Sequence, residues 1–142
     1  MADGGSTGAT LVDSSVLLDL ITDDPEWGDW SAQALGDAAD QGPLVINPVI
    51  FAEVSMRYTR IEDLDQVLPE DDFIRSPIPW AASFLAGKCL ERHRREGGGQ
   101  AAASEFLVGA HAAVSGLRLL SREVRRYREY FPTVRLIAPP AS

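Results

Sequence analysis

The chain has 142 residues, 45% of them apolar, which suits one domain around one core. No apolar run approaches the ~20 residues that a membrane-spanning helix needs, and the start from Met1 to Thr10 has neither the basic residues nor the long apolar stretch of an export signal. The net charge of −8 would by itself disfavour a polyanionic partner, but the charge is uneven. Residues 1–84 hold 3 Lys+Arg against 16 Asp+Glu, a net of −13, whereas residues 85–142 hold 10 against 5, a net of +5. That pattern fits either solvated helix faces or a basic rim able to meet phosphate.

Residues 1–9 are small, polar and glycine-rich and read as a flexible lead-in. Ala9-Thr10-Leu11-Val12 is a short strand ending at Asp13. Ser14-Ser15 can cap the helix that follows through Ile21. Thr22 to Gly28 is a loop, and a helix from about Asp29 to Gln41 places Trp30, Ala34, Leu35 and Ala38 on one face. Gly42-Pro43 ends it. Leu44-Val45-Ile46 is a buried strand, and Asn47-Pro48 is an N-cap followed by Pro at the first position of a helix reaching about Tyr58. A helix over Ile61–Leu68 leads into an acidic, proline-marked connection from Pro69 to Pro79. Helices follow over Trp80–Arg95 and Ser104–Ser115, separated by the hinge Gly97-Gly98-Gly99 and closed by Gly116 as C-cap. Leu117–Leu120 is a strand, Glu123–Tyr130 a basic helix, and Val134–Ile137 a last strand stopped by Pro139-Pro140. Strands alternating with helices imply a parallel sheet covered on both faces.

Several residues invite a chemical reading beside a plainer one. Cys89, alone and among helix formers, reads as a buried small hydrophobe, excludes an internal disulfide, and suits a reducing cytoplasm. His111, mid-helix between alanines, reads as packing against the sheet rather than as a general base. Trp27 and Trp30 can stack bases, but read better as core or as a partner surface. Tyr127, Tyr130 and Phe131 read as core or partner contacts.

The acids carry the functional signal. Asp13 directly follows the first strand, where sites of open parallel sheets form. Glu53 lies in the helix after the second strand, Glu105 at a helix start, and Glu123 just past a strand. Singly, each has a plain explanation as a cap, a turn residue or a partner of the helix dipole. Together, four carboxylates in one cleft would repel, and a hard cation such as Mg²⁺ or Mn²⁺ relieves that with oxygen ligands. No His/Cys cluster offers a zinc site.

The stretch Glu105-Phe106-Leu107-Val108-Gly109-Ala110-His111-Ala112-Ala113-Val114, then Leu119-Leu120-Ser121-Arg122-Glu123, then Arg126-Tyr127-Arg128 and Tyr130-Phe131-Pro132-Thr133-Val134, resembles the VapC-type toxins of the PIN-domain superfamily. Leu11-Val12-Asp13-Ser14-Ser15-Val16-Leu17 is similar to the family's first acidic motif, and Asn47-Pro48-Val49-Ile50-Phe51-Ala52-Glu53 to its second. Ala86-Gly87-Lys88 and the glycine loop fit as well, so the resemblance spans nearly all of residues 10–139. It implies a single domain over residues 10–142, a three-layer α/β/α sandwich with a central parallel sheet, and a Mg²⁺- or Mn²⁺-dependent endoribonuclease. It also implies a VapB-type antitoxin as partner, a homodimer, and structured RNA such as tRNA as substrate.

By that resemblance Asp13, Glu53, Glu105 and Glu123 occupy the four acidic positions, with Asp13 and Glu105 binding metal directly and Glu53 and Glu123 acting through water. Ser15 and Ser121 are supporting candidates, each equally a helix cap. Lys88, Arg92, Arg95, Arg122 and Arg126 are the leading phosphate contacts, with Arg94, Arg125 and Arg128 nearby. The chain departs from the family in carrying Glu where the third and fourth acids are Asp, and Ala103-Ser104 where Leu-Pro precedes the third. The extra methylene moves each carboxylate by about 1.5 Å on ordinary bond lengths. That can favour Mn²⁺, or leave a degenerate module that binds RNA or an antitoxin without cutting. A receiver-type phosphoacceptor is disfavoured because no Lys follows residue 88, and a flap-type nuclease because no clamping module is present.

Overall fold

The protein is described by a computed structural model covering residues 8–100 and 103–140; the expected lead-in therefore lies mostly outside the described residues. Five strands, β1 (Thr10–Val12), β2 (Leu44–Ile46), β3 (Phe73–Arg75), β4 (Arg118–Leu120) and β5 (Leu136–Ile137), form one sheet in the order β3-β2-β1-β4-β5. Every pairing is parallel, with Leu11 opposite both Val45 and Leu119. Among the described residues seven helices connect them: α1 (Ser14–Ile21), α2 (Gly28–Gln41), α3 (Pro48–Ser55), α4 (Ile61–Val67), α5 (Trp80–Arg95), α6 (Ala103–Ser115) and α7 (Arg125–Tyr130). Right-handed crossovers put α1 to α4 on one face and α5 to α7 on the other. This is the α/β/α sandwich expected from the sequence.

Local chemistry explains most of the boundaries. Asn47 caps α3 by accepting from the Ile50 amide at 2.9 Å, with Pro48 at the first helical position. Gly116 adopts φ +65°, which glycine reaches without a Cβ penalty, and the chain turns there so that Leu117 N–H donates to Ala112 O. The three-residue β1, β2 and β4 are wholly or mostly buried, as strands covered on both faces must be. Leu11, Val12, Ile46, Leu119 and Leu120 are buried in the core, joined from the helices by Val16, Ile50, Leu64 and Phe106.

Four expectations are corrected. The connection from Pro69 to Pro79 contains a strand, β3, paired to β2 from Leu44↔Phe73 to Ile46↔Arg75. Three residues, two of them exposed, carry too little periodicity to be seen in sequence. The cap of α1 is Asp13 itself, whose Oδ1 accepts from Ser14 N–H at 2.8 Å, not Ser14 or Ser15. The last helix begins at Arg125, so Glu123 precedes it. Ala9, assigned to the lead-in, is buried, and its carbonyl accepts from Arg118 N–H at 3.1 Å. Cys89 and His111 are buried, Tyr130 and Phe131 belong to the core, and Trp30 packs against it, as read. Among the described residues no helix is long and apolar enough to cross a membrane.

Candidate active site

Strand order reverses direction between β1 and β4, because the chain steps outward from β1 through β2 to β3 and then returns to β4. The two strand ends diverge there and leave a crevice at the carboxyl edge of the sheet. Asp13 follows β1 and lines that crevice, and the buried Ser121, which follows β4, donates its hydroxyl to Asp13. The cleft has a volume of about 300 Å³ and includes Asp13, Glu53, Glu105 and Glu123 in its lining. All four acids singled out in the sequence therefore border one cavity, brought from the β1–α1 junction, α3, α6 and the β4–α7 loop.

Asp13 is the anchor. It is buried, and both carboxylate oxygens are held: Oδ1 by the Ser14 amide, Oδ2 by the hydroxyls of Ser121 and Tyr127 at 2.8 Å each. Burial pushes its carboxyl above the ordinary aspartate range and the nearby charge of Glu53 adds to that, while the three hydrogen bonds pull the other way. Glu53 is pinned too, its Oε1 accepting from Ser14 Oγ at 2.9 Å and its Oε2 from Ser104 Oγ at 3.1 Å. Glu105 lies 3.8 Å from Arg126 Nε, and Glu123, largely exposed, lies 3.5 Å from Arg122 Nη1.

The Ser121 hydroxyl donates to Asp13 Oδ2. Ser15 does not cap its helix; its Oγ accepts from the Arg122 amide at 3.2 Å and lies 3.4 Å from Ser121 Oγ. The basic candidates divide into three groups. Arg122 lines the cleft and Arg126 reaches one of its acids, Glu105, but the Arg122 guanidinium is gripped by the buried Asp19. Arg92 lies over the Tyr130 ring at 4.2 Å and beside Glu96, whereas Arg95 ends α5 and is exposed. Lys88 stands apart on α5, over Phe84 at 5.3 Å and near Glu91.

Sequence reasoning missed Tyr127, Ser14 and Ser104 as members of the site, and Asp19 altogether. Ser14 and Ser104 directly adjoin an acid, a signal that was available. Tyr127 reads as core, and is buried, yet its hydroxyl serves Asp13; burial and the Asp13 charge drive its own pKa well above the usual phenol range. Asp19 carries no local mark.

An all-oxygen donor set of four carboxylates and neighbouring hydroxyls fits a hard divalent cation in chemistry. The cleft gathers these acids without closing them into a cage: among the described residues, no three acidic, histidine or cysteine side chains stand close enough to share an ion.

A PIN-domain family profile matches residues 10–130. The chain belongs to the PIN-domain family. No curated protein is significantly similar to it in sequence. Among solved structures it resembles VapBC2 from Rickettsia felis, determined with a DNA fragment from its promoter, at a TM-score of 0.69 and 14% identity, covering 92% of this chain and 98% of that one. VapBC-1 from nontypeable Haemophilus influenzae is similar at a TM-score of 0.69 and 12% identity, over 92% and 97% of the two chains. FitAcB from Neisseria gonorrhoeae gives 0.67 and 12%, over 89% and 95%. At these identities the likeness is one of fold.

Proposed function

We propose that this PIN domain is a divalent-metal-dependent endoribonuclease and the toxin of a VapBC-type pair. The observation that carries the reading is the arrival of Asp13, Glu53, Glu105 and Glu123 at one cleft on the reversal point of the sheet. Mg²⁺ or Mn²⁺ would be held by Asp13 and Glu105, with Glu53 and Glu123 acting through water. A cation bound there supplies charge neutralisation on the phosphate and activation of a water. The chain's own part is orientation. Ser121 and Tyr127 fix Oδ2 of Asp13, which leaves Oδ1, with a single amide donor, the less occupied oxygen. Ser14 and Ser104 hold the two oxygens of Glu53. Arg126 beside Glu105, with Arg92 and Arg95 at the end of α5 and Lys88 farther along it, forms the basic rim proposed to meet RNA phosphates.

A VapB-type antitoxin and a second copy of the chain are the proposed partners. An apolar groove of about 640 Å³ bounded by Pro48, Phe51, Ala52 and Pro77, and the exposed Trp80 and Phe84 one turn apart on α5, support partner contact. The cytoplasm is the proposed compartment.

The second reading, a PIN module that binds without cutting, is favoured by one observation: both substituted acids, Glu105 and Glu123, lie beside arginines. Incubating the purified chain with total RNA in Mn²⁺, Mg²⁺ or EDTA separates the two. The nuclease reading expects discrete cuts with metal, abolished by EDTA and by Asp13→Ala or Glu105→Ala. Intact RNA throughout, with no Mn²⁺ binding by calorimetry, favours the binding module.

A further inference from the structure

Asp19 is a buried carboxylate that the proposed chemistry does not use. It lies on α1, does not line the cleft, and is 2% exposed. Its Oδ2 accepts from Arg122 Nε at 2.8 Å and its Oδ1 from Arg122 Nη2 at 2.9 Å, a fork-on-fork pair. Ser31 Oγ, from α2, adds a third bond at 2.8 Å. The remaining Arg122 nitrogen, Nη1, faces Glu123 Oε1 at 3.5 Å, and the Trp27 ring lies against the guanidinium at 5.4 Å. Both edges of the fork thus point at carboxylates of the chain and one face is taken by an aromatic ring. A phosphate contact needs a free edge. The Arg122 amide is tied as well, donating to Ser15 Oγ at 3.2 Å. The β4–α7 loop that carries Ser121 and Glu123 is thereby lashed to α1 at two points, Ser15 and Asp19.

We propose that Arg122 is not an RNA contact but, with Asp19, a positioning pair that sets the β4–α7 loop so that Glu123 faces the cleft. The pair resembles the outer partners of a metal site, which orient ligands without touching the ion. Asp19 is the deeper of the two and fixes which way the guanidinium points. The inference rests on the reading of the cleft as a metal-dependent RNA site.

The test uses the full chain. Arg122→Lys keeps the charge and loses the fork; Asp19→Asn keeps the shape and loses the charge. Mn²⁺ affinity by calorimetry is expected to fall roughly tenfold in each. Glu123→Gln should produce a similar loss, and Arg122→Lys combined with Glu123→Gln should be no worse than Glu123→Gln alone, because both act through one carboxylate. RNA affinity in EDTA is then followed against salt: Arg126→Gln should lower the slope by about 1, and Arg122→Gln should leave it unchanged. If Asp19→Asn fails to fold, Arg122→Lys, which retains an ion pair, carries the comparison alone. Wild-type Mn²⁺ affinity in Arg122→Lys overturns the inference, as does a salt slope reduced by about 1 in Arg122→Gln. A wild-type chain that binds no Mn²⁺ instead defeats the metal-nuclease reading, and the positioning role falls with it.

Discussion

The Tyr127 hydroxyl donates to Asp13 Oδ2 at 2.8 Å, across 114 positions of sequence. Tyr127 is buried beneath the cleft, so this bond is shielded from water and aims the carboxylate from below. It ties the basic helix α7 to the end of β1, and it makes α7 part of the site's floor.

Tyr127→Phe removes that donor and keeps the ring. A hydrogen bond to a charged group is worth about 1.5–3 kcal/mol, so urea denaturation at neutral pH should show a loss near that size. Ser121→Ala should cost a similar amount, and the double variant less than the sum, since both donors serve one oxygen. Full additivity would show that the two bonds act independently.

Glu105→Asp and Glu123→Asp shorten the two departing side chains. Each should draw its carboxylate away from its arginine, Arg126 or Arg122, and toward the position that the family resemblance assigns. The double variant is expected to cut RNA faster than wild type by about tenfold, equivalent to roughly 1.4 kcal/mol in the barrier. A rate equal to or below that of wild type would show that the glutamates are matched to this cleft.

His111 supplies a pH dependence. Its Nδ1 lies 3.0 Å from Asn47 Nδ2, which sets Nδ1 as the acceptor, and burial lowers the imidazole pKa below its ordinary 6.5. The folded state therefore favours neutral His111, while the unfolded chain takes up a proton more readily. The stability this contributes is complete above the unfolded pKa, is lost as pH falls below it, and is gone under the folded pKa. Melting temperatures between pH 5 and 8 should decline on the acid side, and His111→Gln should flatten that decline. An unchanged acid slope in the variant would assign the effect to other groups.

Gly109 faces the Phe131 ring from within α6, and a Cβ there would run into the ring. Gly109→Ala gains helix propensity but overpacks a closed contact, so it should destabilise by about 1–3 kcal/mol in thermal melts. Pairing it with Phe131→Leu should recover part of the loss.

Much of the fold was legible. The helix α5 was read from Trp80 to about Arg95, and Asn47-Pro48 announced α3, because caps, proline and apolar spacing act within a few residues. Three of the four acids carry a local mark, Asp13 and Glu123 just past a strand and Glu105 at a helix start, whereas Glu53 lies in the last turn of α3 and stood out only with the Asn47–Glu53 motif. β3 was not, since an edge strand of three residues is defined by its pairing with β2 rather than by its own sequence.

By itself, then, the sequence determined the alternating elements, the parallel sheet, the acid positions and the resemblance to PIN domains. Only the tertiary structure decided which partner each charged group takes. Arg122 had two equal readings until Asp19, 103 positions away, claimed its fork. Tyr127 was a core residue until its hydroxyl met Asp13. A side chain's chemistry is set by the groups within hydrogen-bond reach, and those are chosen by the packing of distant segments, which local periodicity does not encode.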